Sequence, residues 1–224
     1  MLAVLFFIAF LPAMCVDDKN LTQDPVLDIL KANTEAPLTV LLLDMNTEGV
    51  LFKDYKHRYR IISEKNGVPT AKDTKWYEVP SSYFWQNENN MGMEVAARQA
   101  NRNTKRVVSP PGYTNYIGNN KYGYWTNGQG IKADGTYSRT APNVDFWTFF
   151  PPYEILRSLL DLPAGKIYEK EHNEYRTYYS RGYAYYGPIV ISGRRRYGTY
   201  NLGRTSRTRT SSTWYSRGGG GFGK

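Results

Sequence analysis

Arginine and aromatic side chains are interleaved toward the end of this chain, and this combination of residue types binds anions. A guanidinium group forms paired hydrogen bonds with carboxylate or phosphate, and aromatic rings stack on guanidinium groups and on flat ligands. The predicted anion-binding residues are Arg194, Arg195, Arg196, Arg204, Arg207, Arg209 and Arg217. The predicted stacking residues are Tyr197, Tyr200, Trp214 and Tyr215. The pattern indicates a surface that attaches to a negatively charged partner.

The charge distribution supports this interpretation. Residues 175–224 contain nine Arg, one Lys and no acidic residue, a charge of +10, whereas the whole chain carries +9. The first 174 residues therefore sum to −1. Arg exceeds Lys nine to one in this region, but the rest of the chain has seven Arg and twelve Lys. The preference for guanidinium favours multivalent anion contacts over solubility alone.

Residues 193–224 are rich in Arg, Gly, Tyr, Ser and Thr, and we expect them to form a disordered basic tail, because they bury too little apolar area to offset backbone ordering. The expected partner is an anionic lipid surface or an acidic polysaccharide. Nucleic acid is the alternative, since RNA-binding tails with Arg-Gly-Gly repeats share these ingredients, although only Arg217-Gly218-Gly219 matches the repeat itself.

The N-terminal segment predicts export. Residues 1–16 are an apolar run that is short for a membrane-spanning helix, and Pro12 interrupts it near the point where the apolar region of a signal peptide ends. We interpret residues 1–15 as a signal peptide, with a short membrane anchor as the alternative. Cys15, the single cysteine, also allows a lipid-modified N-terminus. Each of these places the protein in the periplasm, in the cell envelope or outside the cell.

No catalytic residue, metal-ligand set or cofactor motif stands out in the sequence. His57 and His172 are the only histidines and lie far apart in the chain, so a zinc site built from His and Cys is not indicated. The carboxylates of Glu169 and Glu171 could serve a glycosidase, but their basic neighbours first suggest a solvated helix face.

The hydrophobic pattern predicts an α+β fold for a single domain over residues 20–192. A small antiparallel sheet is expected over about residues 38–80, because two or three apolar or alternating runs are separated by an Asn66-Gly67 turn signal. Helices are predicted over residues 25–33, 81–106 and 152–162. Residues 109–143 are rich in Gly, Tyr and Asn and are expected to be a long loop. Tyr175, Tyr179, Tyr183 and Tyr186 follow a helical spacing and are predicted to cover the body of the domain.

Three functions are compatible with these features. The first is an exported, non-enzymatic envelope or extracellular protein whose basic tail associates with an anionic surface or polymer. The second is a nucleic-acid-binding protein, which is favoured if the apolar N-terminal run is not an export signal. The third is a secreted hydrolase with a site near the 109–143 loop, since long loops often carry function.

We predict that residues 1–15 are removed on export. N-terminal sequencing and intact-mass measurement of the protein from its native host should then show a chain that begins near Val16. A soluble cytosolic protein that still begins at Met1 would contradict the prediction and favour the nucleic-acid hypothesis, whereas a lipid on Cys15 would identify a lipoprotein.

Overall fold

The computed structural model describes residues 21–49, 53–126, 144–190 and 193–199. In these residues the predicted α+β fold is confirmed: a six-stranded antiparallel sheet is combined with a few helices. The strands are β1 (Leu38–Glu48), β2 (Asp54–Lys65), β3 (Val68–Asp73), β4 (Tyr77–Val79), β5 (Glu94–Arg98), β6 (Thr104–Lys105), β7 (Gly123–Thr126) and β8 (Phe146–Phe149). The helices are α1 (Pro25–Ala32), α2 (Ser81–Gln86), α3 (Ile155–Leu159) and α4 (Glu169–Ser180), with a 3₁₀ turn at Pro151–Tyr153.

The strand order of the sheet is β3-β2-β1-β5-β6, and β4 also pairs with β2. Strands β7 and β8 form a separate two-stranded hairpin. The predicted turn at Asn66-Gly67 is present between β2 and β3, where both residues have positive φ angles of 52° and 80°. The sheet is larger than the sequence indicates, since β5 and β6 extend it beyond residue 80 to Lys105.

The long helix predicted over residues 81–106 is wrong. Helix α2 ends at Gln86, and the chain turns at Gly92, which has a positive φ of 77°. Val95 and Ala96 then lie in β5, which pairs with β1. Both residues are buried because β5 lies beside the central strand, so tertiary pairing outweighs the helical preference of the local sequence.

Helix α1 follows its sequence signals. Asp24 caps the helix by accepting a hydrogen bond from the Leu27 amide at 3.1 Å, and Pro25 occupies the first turn. The carboxylate of Asp24 also forms a bidentate pair with Arg106, at 2.6 and 2.9 Å. The same acidic residue therefore starts the helix and ties it to the chain that follows β6.

The core consists of two hydrophobic clusters, one on each face of the sheet. Successive residues of a strand point to opposite faces, and Val40 and Leu42 belong to one cluster whereas Leu41 belongs to the other. Helices α1 and α2 supply the first cluster with Val26, Ile29 and Phe84. The second cluster is rich in tyrosine, and it also contains residues of α3, α4 and the β7-β8 hairpin.

The first part of the predicted 109–143 loop is packed into this second cluster. Tyr113, Tyr116 and Tyr122 are buried, and β7 follows directly. A Cβ atom at Gly118, where φ is 77°, would lie 2.4 Å from the Cε1 atom of His172, so only glycine fits there. Residues 127–143 lie outside the described part of the chain. The loop prediction missed the packing because Gly and Asn signal turns whether or not the turns are buried.

Residues 193–199 belong to the packed body, although the sequence predicts a disordered tail from residue 193. Arg196 reaches the buried carboxylate of Glu171 at 2.7 Å, and Tyr197 is 5% exposed. The hydroxyl of Thr199 accepts a hydrogen bond from the Met91 amide at 3.1 Å, which ties this segment to the start of β5. The domain boundary expected at residue 192 therefore falls too early.

We predict that shortening the chain after residue 192 destabilises the fold, whereas shortening it after residue 200 does not. The shorter chain loses Arg196 and Tyr197, and an unpaired buried Glu171 alone costs about 3–5 kcal/mol. Urea unfolding should show a free energy of unfolding lower by about 3 kcal/mol or more for the first truncation. Equal stability of the two truncated proteins would contradict the structural role of residues 193–199.

Candidate anion-binding groove

The structure separates the predicted anion-binding residues into two groups. Arg194 and Arg195 are exposed, and Arg195 donates a hydrogen bond to the Gly187 carbonyl at 3.2 Å. Arg196 and Tyr197 instead point into the protein. The remaining predicted residues, Arg204, Arg207, Arg209, Arg217, Tyr200, Trp214 and Tyr215, lie outside the described part of the chain.

Arg196 and Tyr197 complete a buried polar network around Glu171. Tyr113 donates to one carboxylate oxygen of Glu171 at 2.7 Å, and Arg196 donates to the other at 2.7 Å. The hydroxyls of Tyr113 and Tyr197 are 3.0 Å apart. Burial raises the pKa of Glu171, and the guanidinium of Arg196 opposes that shift. Because these groups satisfy one another inside the core, Arg196 and Tyr197 are structural residues and are not presented to an external ligand.

A groove at the end of helix α4 has the chemistry expected of an anion-binding surface. We call it the basic groove; it has a volume of about 580 Å³ and is bordered by Lys105, Arg176, Arg181, Asn173, Tyr179, Thr177 and Ser180. No carboxylate borders it within the described residues. Three cations therefore face one depression, and no acidic side chain of the described residues borders it.

The fold places these residues together from two distant parts of the sequence. In α4, Tyr175 is buried in the tyrosine-rich cluster, so the opposite face of the helix, with Arg176 and Thr177, points outward. Gly182 has a positive φ of 76°, and the helix ends before it. Lys105 comes from the edge strand β6. The groove thus lies between a helix end and a sheet edge.

The cations of the basic groove are available to a ligand. In the regions that the structure covers, Lys105, Arg176 and Arg181 form no ion pair. The Lys105 ammonium lies 4.7 Å from the centre of the Tyr179 ring, a cation-π contact that holds it at the groove wall. Arg176 and Arg181 are exposed. Their charge is balanced by solvent, so an incoming anion replaces water and displaces no carboxylate.

The polar side chains between these cations are oriented by the helix. The Thr177 hydroxyl donates to the Asn173 carbonyl at 3.2 Å, and the Ser180 hydroxyl donates to the Thr177 carbonyl at 3.0 Å. Each hydroxyl proton is used within the helix, so each hydroxyl oxygen remains an acceptor toward the groove. The groove therefore offers positive charge together with acceptors for O–H groups.

Sequence reasoning did not find this groove, although one signal for it was present. Arg176 and Arg181 belong to the acid-free run of residues 175–224. The prediction for this stretch, however, rests on the helical spacing of its tyrosines and assigns no role to the two arginines. Lys105 was assigned to the end of a helix that is not formed. Only the pairing of β5 with β6 brings Lys105 beside Tyr179.

Neither histidine is placed for acid-base chemistry. His57 is fully buried, its Nδ1 atom lies 3.0 Å from the Tyr59 hydroxyl, and burial lowers its pKa to about 3. His172 packs between the rings of Tyr113, Trp125 and Tyr175. Burial and the nearby charge of Arg176 lower the pKa of His172 to about 4. Both imidazoles are neutral core residues at physiological pH.

Glu94 is a buried carboxyl group of strand β5, next to the tyrosine-rich cluster. It accepts a hydrogen bond from the Gly112 amide at 3.2 Å. Burial raises its pKa to about 8, although hydrogen bonds from Thr114 and Gly112 lower it. Glu94 does not border the basic groove, so its protonation concerns stability.

The described residues contain no group of three or more His, Cys, Asp or Glu side chains that could hold a metal ion. None of their helices combines the length and the apolar character needed to cross a bilayer. Comparison with protein-family models, with curated proteins and with solved structures finds no match to this chain.

We predict that Glu94→Gln removes a pH-dependent loss of stability. A folded-state pKa raised from 4.5 to about 8 stabilises the fold below pH 4.5, and this contribution is lost as the pH rises through 8. Relative to the wild type, the variant should therefore gain about 3 kcal/mol in free energy of unfolding between pH 5 and pH 8. Urea unfolding of both proteins at the two pH values measures this difference, and parallel pH profiles would contradict it.

Proposed function

We propose that this protein is an exported, non-enzymatic binder of an acidic polysaccharide, and that the basic groove is its binding surface. The observation that carries the proposal is the position of Lys105, Arg176 and Arg181 around one depression, without ion pairs and without a carboxylate among the described residues. Uncompensated cations in a concave surface attract and hold a polyanion.

The lining of the surface favours a polymer over a membrane. The basic groove is an open, shallow depression of about 580 Å³, wide enough for a chain of sugar units. The groove is lined largely by polar and cationic side chains, and Thr177 and Ser180 are exposed hydroxyl residues rather than apolar residues that would insert into lipid. These features support the polysaccharide as the partner.

The hydrogen-bond acceptors in the groove favour a sugar polymer over DNA. The oxygens of Thr177 and Ser180 can accept hydrogen bonds from a ligand, because their own protons are donated within α4. Sugar hydroxyls supply donors, whereas a phosphodiester group supplies only acceptors. Carboxylate or sulfate groups on the same polymer pair with Arg176 and Arg181.

The arginines beyond the described residues add to this proposal. Arg204, Arg207, Arg209 and Arg217 follow Thr199, the last described residue, and their charge supports a second, multivalent contact with the same polymer. The predicted export of the chain is consistent with a partner outside the cell. The proposed binding by the groove itself needs neither the C-terminal arginines nor export.

Neutralising the groove should weaken binding to an acidic polysaccharide. We expect the full chain with Lys105→Gln, Arg176→Gln and Arg181→Gln to lose affinity about threefold to a hundredfold, because each exposed charge contact contributes roughly 0.2–1 kcal/mol. Titration with heparin and with hyaluronan at low salt measures the loss. Wild-type affinity should also fall steeply as salt rises from about 50 to 200 mM.

A matched control removes the same charge elsewhere. Lys31, Lys65 and Lys72 are exposed and do not border the groove, so their triple replacement by Gln should leave affinity within about twofold apart from long-range effects. Equal losses in the two triple variants would show that net charge alone drives binding. Tighter binding of single-stranded nucleic acid or of phosphatidylserine vesicles than of either polysaccharide would overturn the proposal and favour those partners.

A further inference from the structure

A second depression lies near the basic groove and has different chemistry. It has a volume of about 290 Å³, and four primary amides line it, those of Gln99, Asn101, Asn115 and Asn119. We call it the amide cleft. Its volume is close to the lower limit of about 300 Å³ for small-molecule sites, which suits one or two sugar rings.

Among the described residues, none brings an uncompensated charge to the amide cleft. Lys121 is its one charged lining residue among those described, and the ammonium is paired with the Glu64 carboxylate at 2.5 Å. An anion would gain little from this site. Primary amides both donate and accept hydrogen bonds, as hydroxyl and acetamido groups do, so the lining matches an uncharged and hydroxyl-rich ligand.

Asn115 shows that the cleft is preorganised. The residue is 4% exposed, and its amide nitrogen is fixed by the Leu38 carbonyl and the Thr39 hydroxyl, each at 3.0 Å. These two acceptors determine which end of the amide is nitrogen. The side-chain oxygen has no hydrogen-bond partner among the described residues and is not fully buried, and Asn115 lines the cleft. This oxygen is therefore available to accept a hydrogen bond.

The neighbouring amide is held as firmly. The side-chain nitrogen of Asn119 donates to the backbone carbonyl of Asn115 at 3.0 Å. Its side-chain oxygen accepts from the backbone amide of Lys121 at 3.1 Å. Gln99, in contrast, makes no side-chain hydrogen bond within the described regions. The cleft thus combines a rigid floor with an adaptable side chain on the β5-β6 turn.

The amide cleft and the basic groove are linked through the buried side chain of Tyr175. Thr114 borders the cleft, and its hydroxyl lies 3.0 Å from that of Tyr175. The Tyr175 ring is 5.3 Å from the ring of Tyr179, which borders the groove. The two depressions also adjoin the same edge of the sheet, because Lys105 lies in β6 and Gln99 follows β5.

From this juxtaposition we propose that the amide cleft is a subsite for the uncharged sugar unit of the polysaccharide whose acidic units bind the basic groove. The inference rests on the proposed function, and it specifies the substrate class further. The preferred polymer alternates acidic sugars with neutral or N-acetylated sugars, since the groove selects charge and the cleft selects hydroxyl and acetamido groups.

The test compares two polyanions that differ in the uncharged unit. Hyaluronan oligosaccharides alternate a carboxylate sugar with N-acetylglucosamine, whereas poly-L-glutamate carries carboxylates without sugar. In the full chain, Ala100→Phe fills the cleft from an exposed position, and Gln99→Ala removes one amide. Asn103→Ala is the matched control, because Asn103 lies on the same turn and does not border the cleft.

We expect Ala100→Phe to lower affinity for hyaluronan oligosaccharides about tenfold and Gln99→Ala about threefold, since a neutral hydrogen bond contributes about 0.5–1.5 kcal/mol. The Asn103→Ala variant should bind as the wild type does, and none of the variants should change the affinity for poly-L-glutamate. If both polymers bind and Ala100→Phe weakens neither of them, the subsite proposal is wrong and the proposed function stands.

If the wild-type protein binds neither polyanion at low salt, the proposed function fails. The cleft is then tested alone with the uncharged disaccharide N,N′-diacetylchitobiose, by following the side-chain amide signals of Gln99 and Asn101 in NMR spectra. Signals that shift in the wild type and do not shift in Ala100→Phe would still establish a neutral-sugar site. Unchanged signals at millimolar disaccharide would overturn it.

Discussion

The burial of strand β1 on both faces is the constraint on which the rest of the structure depends. Its first six residues, from Leu38 to Leu43, are all buried, so the sheet must be covered on each side. Helices α1 and α2 pack against one face of the sheet and cover it with aliphatic and aromatic side chains. The other face is covered by a layer rich in tyrosine. Helices α3 and α4, the β7-β8 hairpin and Tyr197 all contribute side chains to this layer, so it fixes their positions on the sheet.

Most tyrosine hydroxyl groups find hydrogen-bond partners when they are buried. Tyr113 donates to Glu171, and Tyr122 donates to Glu64. A carboxylate in such a core needs a cation in turn, and Arg196 provides it from a segment with the composition of a disordered tail. The polar needs of the core thus explain why residues 193–199 are packed, although their sequence contains few aliphatic residues.

The same packing produces the two candidate binding surfaces. Once Tyr175 is fixed in the core, the outer face of α4 must present Arg176 and Thr177, and the edge strand β6 places Lys105 opposite them. The turn between β5 and β6 carries Gln99 to the amide cleft. A charged groove and an uncharged cleft on one edge of the sheet offer a physical basis for selecting a polymer with both kinds of unit.

The elements that the sequence determined are those with strong local signals. Asp24 and Pro25 fix the start of α1, Asn66-Gly67 fixes the turn between β2 and β3, and the apolar run from Leu38 fixes a buried strand, because capping, turn geometry and periodicity act over a few residues. The acid-free run from residue 175 likewise has an excess of positive charge that needs no structure to recognise.

Tertiary structure alone decided the identity of β5, the burial of Arg196 and the location of the groove. Val95 and Ala96 are compatible with a helix, and they form a strand only because β1 offers an unpaired edge. Arg196 resembles its exposed neighbour Arg195 in sequence, and they differ only because Glu171 lies within reach of one of them. Lys105 meets Arg176 through contacts between residues far apart in the chain, which local patterns do not encode.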